Sequence, residues 1–206
     1  MKHKLPEELA KWYDEEYCLE QIRKDGQALQ YIKEQTPEIC LEAVKQNIYA
    51  LRYVQNQTPE ICLEAVKQNS YSLQYVRDQT TEICLEAVKL DGEALKYVQN
   101  QTSDICLEAV KQSGESLRYV KEQTPKICLE AVKQDICALQ FVKEQTLEIC
   151  LEAVKQNGWT LRYVRKQTLE IILATLKQDK EGLLLYVDWD ILTEEEFEYI
   201  KMKYLD

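Results

Sequence analysis

Glu38-Ile39-Cys40-Leu41-Glu42-Ala43-Val44-Lys45-Gln46 recurs almost letter for letter as Glu60–Gln68, and again from Glu82, Asp104, Lys126 and Glu148. Diverged copies begin near Glu16 and Glu170. Cys18, Cys40, Cys62, Cys84, Cys106, Cys128 and Cys150 stand 22 residues apart, and Ile172 takes the eighth place. A register held without an insertion means that every copy meets its neighbours in the same way, as in a stacked array.

Each copy reads as two short helices. Thr36-Pro37-Glu38 supplies an N-cap, a proline at the first helical position and an acid in the first turn. A second column of capping residues follows: Asp25, Asn47, Asn69, Asp91, Ser113, Asp135, Asn157 and Asp179. It predicts a second helix over residues such as Ala50-Leu51-Arg52-Tyr53-Val54, ending near Gln57. On the first helix Ile39, Cys40, Leu41, Ala43 and Val44 span roughly 200°, so it is covered on several sides. The second buries a narrower face, Ala50, Leu51, Tyr53 and Val54, and turns positions 49, 52 and 56 outward. The fold expected is all-α, a solenoid of stacked two-helix repeats over residues 14–187. Residues 1–13, with Leu5, Leu9 and Trp12, should cap one end. Residues 188–206 should cap the other, opened by the capping box Thr193-Glu194-Glu195-Glu196, with Phe197, Ile200 and Tyr204 on one side.

The formal net charge is −10, from 36 acidic and 26 basic residues. Half of that excess falls in residues 188–206, where seven acids face Lys201 and Lys203. Such a balance argues against a broad surface for nucleic acid or anionic membrane, since phosphate binding needs clustered Lys and Arg. The opening Met1-Lys2-His3-Lys4-Leu5-Pro6 has no apolar run, so no secretory leader is expected, and the location expected is intracellular.

The unit Gln35 to Asn47, Gln-Thr-Pro-Glu-Ile-Cys-Leu-Glu-Ala-Val-Lys-Gln-Asn, resembles a short-repeat family known as a domain of unknown function. Such repeats abound in giant DNA viruses of amoebae, the marseillevirus-like and mimivirus-like groups among them, and also occur in some bacteria. The likeness covers about residues 14 to 187 and implies a viral, host-interacting origin. It brings no catalytic residues.

The residues themselves point away from catalysis. Stacked helices lie roughly 8–10 Å apart, and a disulfide needs Cα atoms within about 4.4–6.8 Å. The cysteine column therefore reads as small buried side chains. Cys137 stands outside that column and is expected to be an exposed thiol, with no basic neighbour in sequence to activate it. His3 is the only histidine, which leaves no Ser-His or Cys-His pair and no multi-histidine metal site. Glu38 and Glu42 recur in most copies, with Lys45 one turn away, as a solvated charge ladder. The tyrosine column Tyr31, Tyr53, Tyr75, Tyr97, Tyr119 and Tyr163, with Phe141 in register, reads as packing between copies. No catalytic, cofactor-binding or metal site is expected, and no enzyme.

What varies between copies carries the functional signal. The position two after the second cap reads Gln27, Tyr49, Tyr71, Glu93, Glu115, Cys137, Trp159 and Glu181. Three residues on stand Gln30, Arg52, Gln74, Lys96, Arg118, Gln140 and Arg162. An array tuned to a partner varies its outward positions and keeps its core. Tyr49, Tyr71, Trp159, Glu93, Glu115, Arg52, Arg118 and Arg162 are the candidate partner-binding residues, because Tyr, Trp and Arg dominate binding hot spots. The expected function is a non-enzymatic interaction module or scaffold with a protein partner, without nucleic acid or membrane, as a monomer or weak homo-oligomer. One alternative is a structural virion or assembly component that self-associates. Another is a lipid-surface protein, since apolipoproteins also use proline-punctuated amphipathic units. The mid-unit cap argues against this last reading.

Overall fold

The fold is that of a computed structural model, which describes residues 11–178 and 183–205. It divides into two compact units, Met1–Asn100 and Gln101–Asp206. The described residues are helical, without strands, and form an α-solenoid of two-helix repeats. His3, Leu5, Leu9, Asp179 and Glu181 lie outside them.

The first unit holds α1 (Glu15–Lys24), α2 (Pro37–Gln46), α3 (Pro59–Gln68) and α4 (Thr81–Leu90). Each is followed by a six-residue 3₁₀ helix: Gly26–Tyr31, Ile48–Tyr53, Ser70–Tyr75 and Gly92–Tyr97. In the second unit α5 (Ser103–Gln112), α6 (Pro125–Gln134), α7 (Leu147–Gln156) and α8 (Leu169–Leu176) alternate with 3₁₀ helices Gly114–Tyr119, Ile136–Phe141, Gly158–Tyr163 and Leu184–Tyr186. A short 3₁₀ turn Trp189–Ile191, then α9 (Glu194–Ile200) and a π turn Lys201–Leu205, close the chain. Within each unit α helices stack on α helices and 3₁₀ helices on 3₁₀ helices, giving two layers.

The caps act as their residue types require. Thr36 Oγ1 accepts the Ile39 N–H at 3.3 Å, and the same bond recurs in the other copies that begin with threonine. Asn47 serves two helices at once. Its N–H closes α2 on the Ala43 carbonyl, and its Oδ1 accepts the Tyr49 N–H at 3.0 Å to open the next helix. Ser113 stands in the same place but makes no side-chain cap bond. Gly114 allows a close approach there: a Cβ would meet the Ala131 carbonyl oxygen at 2.6 Å.

The second helix differs from the sequence expectation. It is 3₁₀ rather than α and ends at Tyr53, with Val54 already extended (φ −64°, ψ 120°). The Val54 N–H closes the last turn on the Leu51 carbonyl, and the helix ends at the same place in copies with and without the proline that follows the threonine cap. Three residues per turn place Tyr49 and Arg52 on the outward edge, while Ala50, Leu51 and Val54 are fully buried. Tyr53 is half-buried, and Tyr31 is 60% exposed. In α2, Ile39, Cys40, Ala43 and Val44 are buried, but Leu41 only half so. Each fully buried Leu or Ile contributes about 1.5–3 kcal/mol.

A glutamine before each threonine cap joins one copy to the next. Gln57 Nε2 donates to the Leu51 carbonyl of its own copy (2.9 Å) and to the Tyr75 carbonyl of the next (3.0 Å). Its Oε1 accepts the Arg77 N–H at 2.9 Å. Gln35 and Gln79 repeat this arrangement in the first unit, and Gln123 and Gln145 in the second. Gln167 ends the series on Tyr186 and Asp188. The column cysteines from Cys40 to Cys150 point weak S–H donors at the same Oε1 atoms, as Cys40 does at Gln35 (3.6 Å), whereas Cys18 points at the Trp12 carbonyl.

At the termini, the Trp12 ring packs on Tyr17 and Tyr31 with centroids 5.5 and 5.6 Å away. The Thr193–Glu196 capping box forms, Ile200 is fully buried, and Phe197 packs edge-on to Trp189.

Gln57→Ala takes this partner from the Tyr75 carbonyl and the Arg77 N–H, and leaves the Leu51 carbonyl with only the Val54 N–H. It is expected to destabilise the protein by about 2–4 kcal/mol in urea unfolding. Ser72→Ala should do the reverse. Ser72 Oγ is buried with no hydrogen-bond partner among the described residues, in a column where other copies hold Ala50 and Ala94. A gain of about 1 kcal/mol is expected in the same measurement.

Candidate functional site

The outward edge of the 3₁₀ layer collects the residues that vary. In the first unit Tyr49 is 48% exposed and Arg52 is exposed, whereas Tyr71 and Glu93 are half-buried. The half-burial corrects the expectation of free surface positions: Tyr71 is covered by the next copy, and Glu93 pairs within its own. Tyr49 packs edge-on against Tyr75 (5.9 Å between centroids) and Tyr71 against Tyr97 (5.6 Å). The Arg52 guanidinium sits 5.6 Å from the Tyr75 ring. Lys96 Nζ lies 4.3 Å from the Tyr71 centroid and 5.1 Å from that of Tyr97, and pairs with Glu93 at 3.9 Å. Burial, reinforced by the Asp91 carboxylate beside it, pushes the Tyr71 phenol up to about 12.

In the second unit Trp159 is 42% exposed and packs edge-on to Tyr186 at 5.6 Å. Arg118 and Arg162 are exposed and lie over Tyr119 and Tyr163 at 4.7 and 4.6 Å; Arg162 Nη2 also donates to the Tyr163 hydroxyl at 2.7 Å. Glu115 is half-buried. The variable column and the tyrosine column, read separately in the sequence, are thus one surface, the ring of one copy seated on the tyrosine of the next. Aromatic pairs of this kind contribute about 0.5–1.5 kcal/mol beyond their buried area, and cations over exposed rings about 0.5–1 kcal/mol.

Cys18, Cys40, Cys62, Cys84, Cys106, Cys128 and Cys150 are buried free thiols. Burial raises the pKa of each, to about 11 for Cys40 and Cys62. Cys137 is half-buried rather than exposed, and its pKa rises too, through burial first and then the Asp135 carboxylate. These are packing thiols, the opposite of the low-pKa environment that makes a nucleophile. Glu42 accepts a hydrogen bond from Gln46 at 3.2 Å, a partner the charge-ladder reading did not include. Among the described residues no group of three or more His, Cys, Asp or Glu side chains could hold a metal ion, and no helix is long and apolar enough to cross a membrane.

Two-copy windows at residues 14–58, 36–80, 58–103, 80–124, 102–147 and 124–169 match the family model described as Domain of unknown function (DUF4116). The chain belongs to this family. The windows advance by about one copy at a time, in keeping with a tandem repeat of about 22 residues. Neither the curated proteins nor the solved structures yielded a match.

Sequence reading missed two columns. The glutamines were visible as letters, but their role depends on carbonyls 18 residues away. The residue after each 3₁₀ C-cap, Arg77, Lys121, Lys143 or Arg165 among others, was skipped because an α period sends position 56 outward instead of 55.

The raised thiol pKa values set an alkaline limit on stability. A thiol with pKa near 9 in the unfolded chain and about 11 when folded leaves stability intact below pH 9. Stability is then lost as pH rises from 9 through 11. The melting temperature should fall across that window, and by less in a Cys40→Ala, Cys62→Ala double variant.

Proposed function

We propose that this protein is a non-enzymatic interaction module that holds a protein partner on the outward 3₁₀ edges of its units. One observation carries the reading. Tyr49 and Trp159 remain 48% and 42% exposed while seated edge-on against a tyrosine of the next copy. A large ring immobilised before binding loses little conformational freedom on contact, which is what makes aromatic anchors effective. Arg52, Arg118 and Arg162, parked over rings, add directional donors on the same edges. An intracellular setting and a host-interacting role in a giant virus belong to the same proposal; the second rests on the family resemblance.

Self-assembly is the second reading. Leu185 and Met202, 84% and 70% exposed in the C-terminal part of the second unit, favour it.

The test compares capture by the immobilised chain with capture by Trp159→Ala and Tyr49→Ala variants, alongside light scattering of each. Loss of about tenfold or more in affinity for the captured protein, with unchanged circular dichroism, is expected of at least one variant. Undiminished capture by both removes the edge assignment. A concentration-dependent oligomer that retains only its own kind favours self-assembly.

A further inference from the structure

In the second unit the residue that follows the C-cap of each of the first three 3₁₀ helices is basic, Lys121, Lys143 and Arg165, and Asp188 takes the place after the fourth. The backbone N–H of each basic residue is fixed to the joint glutamine of the copy before it, on Gln101, Gln123 and Gln145 at 3.0, 2.8 and 2.9 Å. The side chains then follow one another from copy to copy. Lys143 Nζ donates to the Lys121 carbonyl at 2.9 Å, and Arg165 Nη1 to the Lys143 carbonyl at 2.9 Å. Arg165 Nη2 reaches the Gln140 carbonyl of the 3₁₀ edge at 3.4 Å. All three basic residues are exposed, and Arg118 and Arg162 stand on the adjoining edge. Between residues 113 and 168 nine basic residues face seven acidic ones, a local excess of two positive charges in a chain of net charge −10. This stretch is therefore opposite in sign to the chain as a whole.

The row also contains a recess. A pocket of about 180 Å³ is bordered by Lys121 and Lys143, with Thr124, Thr146 and the buried Cys128 in its lining. Glu144 is the one carboxylate there. An incoming anion would meet two ammonium groups, the hydroxyls of two capping threonines and the N-terminal end of α6.

We infer that this edge seats an acidic segment of the partner protein. One of its carboxylates lies between Lys121 and Lys143, and its apolar side chains lie against the exposed ring edge that includes Trp159. The inference rests on the interaction-module reading and specifies the chemistry of the partner. A polypeptide fits better than a nucleic acid. Glu115, Glu122 and Glu144 are interspersed with the cations, so a polymer charged at every residue meets repulsion that an acidic peptide avoids by placing neutral side chains there.

The test is fluorescence anisotropy of the full chain with a labelled peptide of repeating Glu-Glu-Leu. Binding should weaken as salt is raised. The triple variant K121Q/K143Q/R165Q should bind about tenfold more weakly. K133Q/K155Q, which removes two positive charges from the α layer, should stay within about twofold of the parent. K121R/K143R keeps the charge and should match the parent, which separates lost charge from lost fold. Absence of binding by the parent chain, equal binding by the triple variant, or tighter binding of labelled oligo(dT) than of the peptide overturns the inference. Partner capture that depends on Trp159 in a chain that ignores the peptide leaves the interaction module standing and removes only its acidic ligand.

Discussion

A glutamine side chain, set just before each threonine cap, answers three backbone groups at once, two carbonyls and an N–H. These groups belong to two successive copies and lie in the last turn of each 3₁₀ helix or just beyond it. The helix ends leave half-buried main-chain groups short of partners, and leaving one unpaired costs about 1–3 kcal/mol. The joint solves this with one side chain, and so holds the spacing at which Ile39, Val44 and Leu51 type residues close on their counterparts. Because it binds main chain, it makes no demand on the identity of the outward side chains.

That separation explains which parts of the structure were legible in the sequence. Cap residues, core residues and the cysteine column act through local or repeated short-range contacts, and their pattern reads directly as stacked copies. The second helix was misread because only six residues separate its cap from its end, too few for period alone to tell 3₁₀ from α. The error is small in length but large in consequence. It placed the outward face one residue away from the Lys121, Lys143 and Arg165 row.

The candidate site shows the complementary limit. Tyr49, Arg52, Trp159, Arg118 and Arg162 reach the surface as their variability suggested. Tyr71 and Glu93 are drawn inward by Tyr97 and Lys96, neighbours that a column-by-column reading treats as separate features. Contacts between one copy's variable ring and the next copy's tyrosine cross the repeat boundary. No single 22-residue unit contains both members.

The self-sufficiency of the glutamine joint bears on how such a chain can change. Recombination between near-identical copies deletes or inserts whole repeats. Wherever the break falls, the new junction again sets a glutamine against the carbonyls and N–H it requires. Array length can therefore drift in a lineage with no compensating mutation. What each such event alters is the order in which tyrosines, tryptophan, glutamates and arginines succeed one another along the outer edge, so the surface is reshuffled by the copying errors that the interior tolerates.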